Sequence, residues 1–380
     1  MTKKVFTAIG LMSGTSLDGV DLSLIKSDGY NEFTCILNNY YRFDDKLQKT
    51  IVNLRSKIFN NKDLIDHSNA LDDLERAITL FHSKIVNEVL SNNKDNIDLI
   101  GFHGQTIYHN SDHKISKQLG DGKLLSQLTK KIVINNFRKN DLENNGQGAP
   151  LTPIFHKTIS KIISQKQNIN YPICVINIGG ISNATIIFED KNEINFKARD
   201  VGPGNCMIDE WVRKNSKFKF DENGNIAKSG KVNELILNQA KENFVITSYE
   251  KSLDIKDFDL SFIRGLSLED GCATITDFTA FLISEGLKYF NSLNKDDNGY
   301  FLISGGGRKN IYLISIIQKY LSNTNIELKN IDDFGFDGDF VESQAFGYLA
   351  IRSYLGLNIS FPQTTGCKNP STGGVINKNF

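Results

Sequence analysis

The sequence predicts an α/β fold of two internally duplicated lobes, each a mixed sheet flanked by helices, with a central cleft between them. Three observations carry that prediction. Residues 5–25 read as an apolar strand, a turn of Gly, Ser, Thr and Asp, and an alternating apolar strand. Residues 172–188 repeat the pattern around Gly179-Gly180-Ile181-Ser182-Asn183. Elsewhere apolar residues recur at spacings of three and four, the mark of helices that bury one face. The 380 residues also exceed the roughly 250–300 at which single cores stop growing. The first lobe is expected at 1–135, joined by the C-terminal segment 356–380, and the second at 136–355.

The first strand ends in Ser13-Gly14-Thr15-Ser16-Leu17-Asp18-Gly19-Val20. Glycines let a backbone come close to a ligand. Ser and Thr hydroxyls and successive backbone N–H groups suit phosphate oxygens. Asp18 suits a metal ion or the water on it. Read alone, the stretch is explained equally well by an ordinary hairpin. Residues 32–43 read as a third strand. Residues 68–90 read as a helix with Leu71, Leu74, Ile78, Phe81, Ile85 and Val89 on one face. Residues 97–102 form a short buried strand that delivers His103-Gly104-Gln105-Thr106 to its C-terminal end, where ligands sit in α/β folds. A short helix near 124–129 and a strand at 132–136 follow. Residues 137–156, polar and punctuated by Gly and Pro, read as a loop before a helix that runs through Ile163.

In the second half, Asp200-Val201-Gly202-Pro203-Gly204-Asn205 reads as a turn after a strand, with a helix starting behind it. Residues 221–230 read as a surface loop, and 231–243 and 268–290 as helices. Ser304-Gly305-Gly306-Gly307-Arg308-Lys309-Asn310 joins a strand to a helix. A helix N-terminus behind bare backbone suits an anion or a nucleotide, although local helix-starting chemistry also explains it. Residues 339–352 read as a helix that carries Glu342, with Val341, Ala345, Tyr348, Leu349 and the stem of Arg352 on its apolar face. The tail at 364–374 is a glycine-punctuated loop.

Composition narrows the function. Apolar residues make up 39% and charged residues 23%, as in a globular protein with a large core. Lys+Arg and Asp+Glu both number 44, giving zero net charge, which argues against a nucleic-acid or membrane-surface protein. No apolar run approaches transmembrane length, and the N-terminus lacks signal-peptide character. Five scattered cysteines without a Cys-x-x-Cys pair point to reduced thiols in a cytoplasmic protein, with no zinc site and no disulfide frame.

The glycine-rich turns at 13–19, 179–183 and 304–307 outline a nucleotide cleft. Neither the dinucleotide-binding Gly-x-Gly-x-x-Gly nor the P-loop signature occurs, so a dehydrogenase and a P-loop kinase are both disfavoured. What fits is the two-lobed, actin-like ATPase (ribonuclease H-like) architecture shared by actin, hexokinase and acetate kinase.

A more specific resemblance rests on seven stretches in order. They are Ser13 to Asp21, His103-Gly104-Gln105-Thr106, Gly146-Gln147-Gly148-Ala149-Pro150-Leu151, Asn177-Ile178-Gly179-Gly180-Ile181-Ser182-Asn183, Gly202-Pro203-Gly204-Asn205, Gly305-Gly306-Gly307-Arg308-Lys309-Asn310, and Glu342-Ser343-Gln344-Ala345-Phe346. From about residue 6 to 376 the chain resembles the anhydro-N-acetylmuramic acid kinases. The resemblance implies that ATP phosphorylates O6 of 1,6-anhydro-N-acetylmuramic acid while water opens the anhydro bridge at C1. The product is N-acetylmuramic acid 6-phosphate, in the recycling of cell-wall sugars. It also implies a homodimer and places the base that activates the water at Asp200, otherwise a helix N-cap.

The remaining roles follow from chemistry. Ser13–Val20 would cradle the phosphates, with Mg2+ bridging their oxygens and Asp18 holding it through water. Gly179 and Gly180 face the same nucleotide, and Gly305, Gly306, Gly307 and Asn310 lie along the α-phosphate and adenosine. Glu342 holds the water or the sugar, or is an exposed helix carboxylate. His103, Gln105 and Thr106 hydrogen-bond the sugar or its N-acetyl group, or His103 is structural. Arg138 suits the lactyl carboxylate through bidentate pairing. Asp141 orients that arginine or binds sugar hydroxyls, or the two form a surface ion pair. The family's Asp-Thr-Gly-Pro-Gly-Asn reads with Val201 here, its Asp-Phe-Arg with Asn136, and small residues before Gly-Gln-Gly are Glu143-Asn144-Asn145. Its Pro-Pro-Lys-Ser-Thr-Gly-Arg-Glu survives only as Lys251-Ser252, followed by Leu253-Asp254-Ile255-Lys256. These departures gather on the sugar side. Two further readings are a related kinase for another small sugar and a non-enzymatic, actin-like ATP-binding protein.

Overall fold

The structure is a computed structural model and describes residues 4–244, 253, 257–292 and 299–380. Residues 1–162 with 340–380 form one compact unit, and residues 163–339 form the other.

In the first unit the strands are β1 (Phe6–Ser13), β2 (Gly19–Ser27), β3 (Phe33–Arg42), β4 (Leu99–Asn110), β5 (Ile115–Leu119) and β6 (Ile132–Asn135). Its helices are α1 (Asp45–Arg55), α2 (Asn61–Asp66), α3 (Ser68–Asn92), α4 (Gly122–Thr129) and α5 (Lys139–Glu143), and α6 (Pro153–Gln167) runs across the boundary. The second unit has β7 (Ile173–Ile178), β8 (Ile181–Asp190), β9 (Glu193–Pro203), β10 (Gly299–Ser304) and β11 (Ile326–Asn330). Its helices are α7 (Cys206–Asn215), α8 (Asn225–Ser229), α9 (Glu234–Asn243), α10 (Leu268–Ser292) and α11 (Ile311–Leu321). The chain then returns to the first unit with α12 (Val341–Tyr354), α13 (Pro362–Thr365) and β12 (Val375–Asn377).

The two sheets repeat one plan. Along the first the order is β3-β2-β1-β4-β6, with β12 on the far edge and β5 paired to β4; along the second it is β9-β8-β7-β10-β11. In each, the first three strands are antiparallel neighbours and the last two run parallel to the first. That shared order is the duplicated, ribonuclease H-like topology expected from the two strand–turn–strand repeats. Each unit has its own apolar core, one including Ile9, Leu22, Ile78 and Phe102, the other Ile176, Ile283, Phe301 and Leu313.

The unit boundaries differ from those expected. Residues 136–162 and 340–355 belong to the first unit, because α12 lies directly on β1 and β4. A Cβ on Gly10 would stand 1.9 Å from the Ser343 carbonyl oxygen, and one on Gly101 2.2 Å from that of Phe346. Bare backbone at both positions is what lets the helix settle. Tyr348 Oη and Arg352 Nη1 donate to the Gly29 carbonyl at 3.1 and 2.7 Å. The helix is buried on nearly every side rather than along one stripe. The tail closes onto the first sheet through β12, which pairs antiparallel with β6.

Other elements differ locally. β4 runs on to Asn110 because β5 pairs with it antiparallel, so His103–Thr106 lies inside a strand and not at its end. Residues 221–230 hold a 3₁₀ turn and α8 instead of a loop, and 137–156 contain α5. The helix behind the triple glycine starts only at Ile311, after a 3₁₀ turn at Gly306–Lys309. Lys251, Ser252, Asp254, Ile255 and Lys256 lie outside the described residues.

Candidate functional site

The β1–β2 connection carries small polar groups on a fixed frame. Leu17 adopts a left-handed φ of 58° and plants its side chain in the core. The Asp18 carbonyl accepts from Phe43 N at 2.9 Å, and Gln105 Nε2 donates to the Gly14 carbonyl at 3.1 Å. Ser16 Oγ donates to Asp18 Oδ1, and the half-exposed Asp18 carboxylate also accepts from Tyr40. Among the described residues, two buried polar atoms here have no hydrogen-bond partner, Ser13 Oγ and Gln105 Oε1. Their residues face each other in the β1–β4 register. A buried unsatisfied group costs about 1–3 kcal/mol, so this pair marks where a polar ligand or water belongs. Asp18 is a single carboxylate beside these groups. That fits Mg2+, which takes one or two carboxylates together with water and phosphate oxygens. Among the described residues no cluster of three metal-ligating side chains occurs.

His103-Gly104 sits at an irregularity in the β1–β4 ladder, where Gly104 has a φ of +75° and a Cβ would meet the Leu119 carbonyl at 2.5 Å. Such bulges re-aim side chains. The His103 ring is buried; Nδ1 lies 2.8 Å from the Gly104 carbonyl, and Nε2 receives Arg138 Nη2 at 3.0 Å and Nε at 3.3 Å. A guanidinium only donates, so Nε2 is the acceptor and Nδ1 carries the proton. Burial, helped by the Arg138 charge, pulls the His103 pKa down to about 3, keeping the ring neutral. Both ring nitrogens are therefore used within the protein, and His103 holds Arg138. Thr106 Oγ1 accepts from Gln118 Nε2 at 3.2 Å.

Arg138 also donates from Nη1 to the Gly148 carbonyl at 2.8 Å. Burial lowers its pKa against the opposing charges of Glu342 and Asp141. Glu342, in the first turn of α12, is half-buried rather than exposed. Burial raises its pKa and the Arg138 charge opposes the rise. Asp141 is not a surface group, and among the described residues it forms no salt bridge. It is 1% exposed, and its oxygens accept from Gly148 N at 2.6 Å and Thr365 Oγ1 at 2.6 Å. Thr365 was not legible as a site residue; its only sequence mark is a place in a glycine-punctuated tail.

In the second unit Asp200 lies within β9, not on a turn behind it. It is no helix cap either, since α7 starts at Cys206 behind Asn205. The β8–β9 register slips at this point: Ser182 pairs with Gly202 and Asn183 with Asp200, leaving Val201 as the extra residue of a bulge. Asp200 Oδ2 accepts from Leu253 N at 2.8 Å, and burial lifts its carboxyl to about 6. A carboxylate with that pKa suits proton abstraction near neutrality. Nearby on α7, burial lifts Asp209 to about 7.

The glycines of this unit divide by task. The Gly179 carbonyl accepts from Asn205 N at 2.7 Å, and that of Gly180 from Gly204 N at 2.9 Å and Cys206 N at 3.3 Å. This two-residue turn thereby holds the entry to α7. A Cβ on Gly305 would stand 2.2 Å from Asn177 Oδ1, and one on Gly307 2.2 Å from Ile178 Cγ2, whereas Gly306 has open space around it. Asn310 is committed locally: its buried side chain caps α11 by accepting from Leu313 N at 2.9 Å. Arg308 pairs with Asp332, Asp337 and Asp339.

A model of the family described as anhydro-N-acetylmuramic acid kinase matches residues 6–379. The enzyme of that name from Pelagibacter ubique is 52% identical over 382 residues, covering 100% of both chains. The chain belongs to the anhydro-N-acetylmuramic acid kinase family. It is a phosphotransferase. The Zymomonas mobilis kinase of the same name is 37% identical over 375 residues, covering 97% of this chain and 99% of its own. A Schistosoma mansoni hexokinase solved with glucose aligns at a TM-score of 0.42 and 9% identity over 91% of this chain and 85% of its own. That likeness is too loose to argue from.

Family membership gives meaning to two departures. Val201 is 1% exposed and belongs to the core of the second unit, so an apolar residue beside Asp200 is a packing choice. Asn136 is exposed with a φ of 55°, a left-handed geometry that Asn tolerates better than most residues. Among the described residues no helix is long and apolar enough to cross a membrane.

Proposed function

We propose that this kinase transfers the γ-phosphoryl group of ATP to O6 of 1,6-anhydro-N-acetylmuramic acid while water adds at C1. The C1–O6 bond breaks, the water oxygen stays on C1, O6 receives the phosphoryl group, and ADP leaves. N-acetylmuramic acid 6-phosphate results, a step in recycling cell-wall sugars. The observation that carries the reading is the match of the family model over residues 6–379 and the 52% identity to the Pelagibacter ubique kinase, with Asp200 set at the β9 bulge in the segment Asp200-Val201-Gly202-Pro203-Gly204-Asn205.

Asp200 takes the proton from the attacking water. Leu253 N–H holds Oδ2 and so orients the carboxylate. Phosphoryl transfer needs alignment and charge neutralisation more than covalent help. Ser13–Val20 supplies backbone and hydroxyl donors to the phosphates, with the unpartnered Ser13 Oγ among them. Mg2+, held through Asp18, would neutralise phosphate charge. Gly306, with open space around it, lies along the nucleotide. Arg138 receives the lactyl carboxylate, Glu342 orients the water or a sugar hydroxyl, and Gln105 offers Oε1 to the sugar. The kinase works as a homodimer in the cytoplasm.

The test is a coupled ADP-release assay with the anhydro sugar, followed by mass spectrometry. A product that gains both a phosphoryl group and a water supports the reading. Phosphate without water, or turnover of another sugar only, overturns it.

A further inference from the structure

Arg138 has five N–H donors. Three are used, Nε and one on Nη2 toward His103 Nε2 and one on Nη1 toward the Gly148 carbonyl, and two remain. The guanidinium is thus clamped at its base with its remaining donors fixed in direction. His103 is anchored by the strand irregularity. Gly148, by contrast, lies on an irregular segment and needs an anchor of its own.

That anchor comes from the C-terminal tail. Gly148 N donates to Asp141 Oδ2 at 2.6 Å, and the other oxygen of Asp141 accepts from Thr365 Oγ1 at 2.6 Å. The Thr365 carbonyl accepts from Gln147 N at 2.8 Å, and Lys368 N donates to the Asn144 carbonyl at 2.9 Å. Thr365 is fully buried at the end of α13. A Cβ on Gly146 would strike the Asp141 carboxylate at 2.2 Å, so the loop is wrapped closely around that group. The tail therefore straps residues 144–148 from outside, and the chain of bonds ends at the arginine.

We propose that the C-terminal segment sets the aim of Arg138: Thr365, acting through Asp141 and Gly148, is a positioning residue for recognising an acidic sugar. Asp141 belongs to the same relay and touches no ligand itself. The proposal rests on the reading of Arg138 as the carboxylate partner. Loosening Thr365 lets Gly148 drift, and small misplacements of a positioning group are costly.

The experiment measures dissociation constants by calorimetry for 1,6-anhydro-N-acetylmuramic acid and for the same anhydro sugar without its lactyl group. Thr365→Val should weaken the acidic sugar roughly tenfold while leaving the neutral sugar and ATP as in the wild type. Thr365→Ser should restore the preference. Equal weakening of both sugars would mean a merely structural role and overturn the proposal. Arg138→Ala separates the two levels: loss of the preference there, with none in Thr365→Val, defeats the relay alone. An unchanged preference in Arg138→Ala defeats the carboxylate reading beneath it. Should Thr365→Val not fold, amide exchange in the wild type decides. The acidic sugar, but not the neutral one, should slow exchange at residues 146–148; no such difference overturns the relay.

Discussion

The β1–β2 and β7–β8 connections occupy the same place in two sheets of the same strand order, yet they carry different groups. The first spans residues 14–18 and carries hydroxyls, a carboxylate and, at its root, a buried serine without a partner. The second has only Gly179 and Gly180 between its strands, and their carbonyls are taken by Gly204, Asn205 and Cys206. In the second unit a buried carboxylate, Asp200, sits two strands on, at the β9 bulge. Duplicated topology fixes where a turn lies; the side chains decide whether it meets a ligand or closes a scaffold.

The largest expected effect concerns Asp200 on β9. Asp200→Asn would remove the proposed base, and a positioned base contributes about 10²–10⁴-fold, or about 3–5 kcal/mol of barrier. Turnover should fall by that factor while ATP binding persists in calorimetry. The pH profile sharpens the assignment. The Asp200 carboxyl is lifted from 3.8 to about 6, so its proton-accepting form is lost at higher pH than for an ordinary aspartate. In the wild type kcat/KM should decline tenfold per pH unit below about pH 6. On the proposed assignment to Asp200, Asp209→Asn should leave that limb in place. A variant at Asp200 that keeps near-normal turnover would return the comparison to two equivalent turns.

The glycines set the two connections against each other directly. A Cβ on Gly204 would stand 2.1 Å from the Gly179 carbonyl oxygen, whereas one on Gly14 would have its nearest neighbour, Ser16 Oγ, at 3.9 Å. Overpacking costs about 1–3 kcal/mol. Gly204→Ala should therefore lower thermal stability. Gly14→Ala should melt like the wild type and instead raise KM for ATP, by crowding the approach of a phosphate. Loss of stability in both variants, with KM unmoved, would make the first turn a scaffold as well.

How legible this was follows from the kind of signal each feature leaves. The strands, α3 and α10 are written in apolar periodicity, and the duplication in a repeated strand–turn–strand pattern. The length of β4 was hidden because His103, Gln105, Thr106 and His109 are polar and their pairing partner β5 is set by tertiary context. The unit boundary was hidden because α12 joins the first unit through contacts at Gly10 and Gly101, far away in the chain. At the site, Asp200, Glu342 and Arg138 announce themselves as charges near glycine turns or strand ends. The Leu253 amide that holds Asp200, and the Thr365 hydroxyl behind Asp141, carry no such mark. A backbone N–H has no residue type, and a threonine in a polar tail resembles any other. His103 was visible as chemistry but not as to its role, since only the geometry shows both ring nitrogens to be committed.

The smallest expected effect is the most discriminating, because its sign differs between the units. Ser182 Oγ donates to the Pro203 carbonyl at 3.0 Å and is fully buried. Ser182→Ala leaves that carbonyl short of a donor and should cost about 1 kcal/mol in denaturant unfolding. Ser13 is buried to a similar degree, but its hydroxyl has no partner among the described residues. Replacing an unsatisfied polar group by an apolar one is neutral or stabilising, so Ser13→Ala should gain up to about 1 kcal/mol and should weaken ATP. Proteins hold unsatisfied buried groups where function requires them. Opposite signs in stability, with an ATP penalty only for Ser13→Ala, are what separates a ligand turn from a scaffold turn. A loss of stability in Ser13→Ala would mean that its hydroxyl serves the fold.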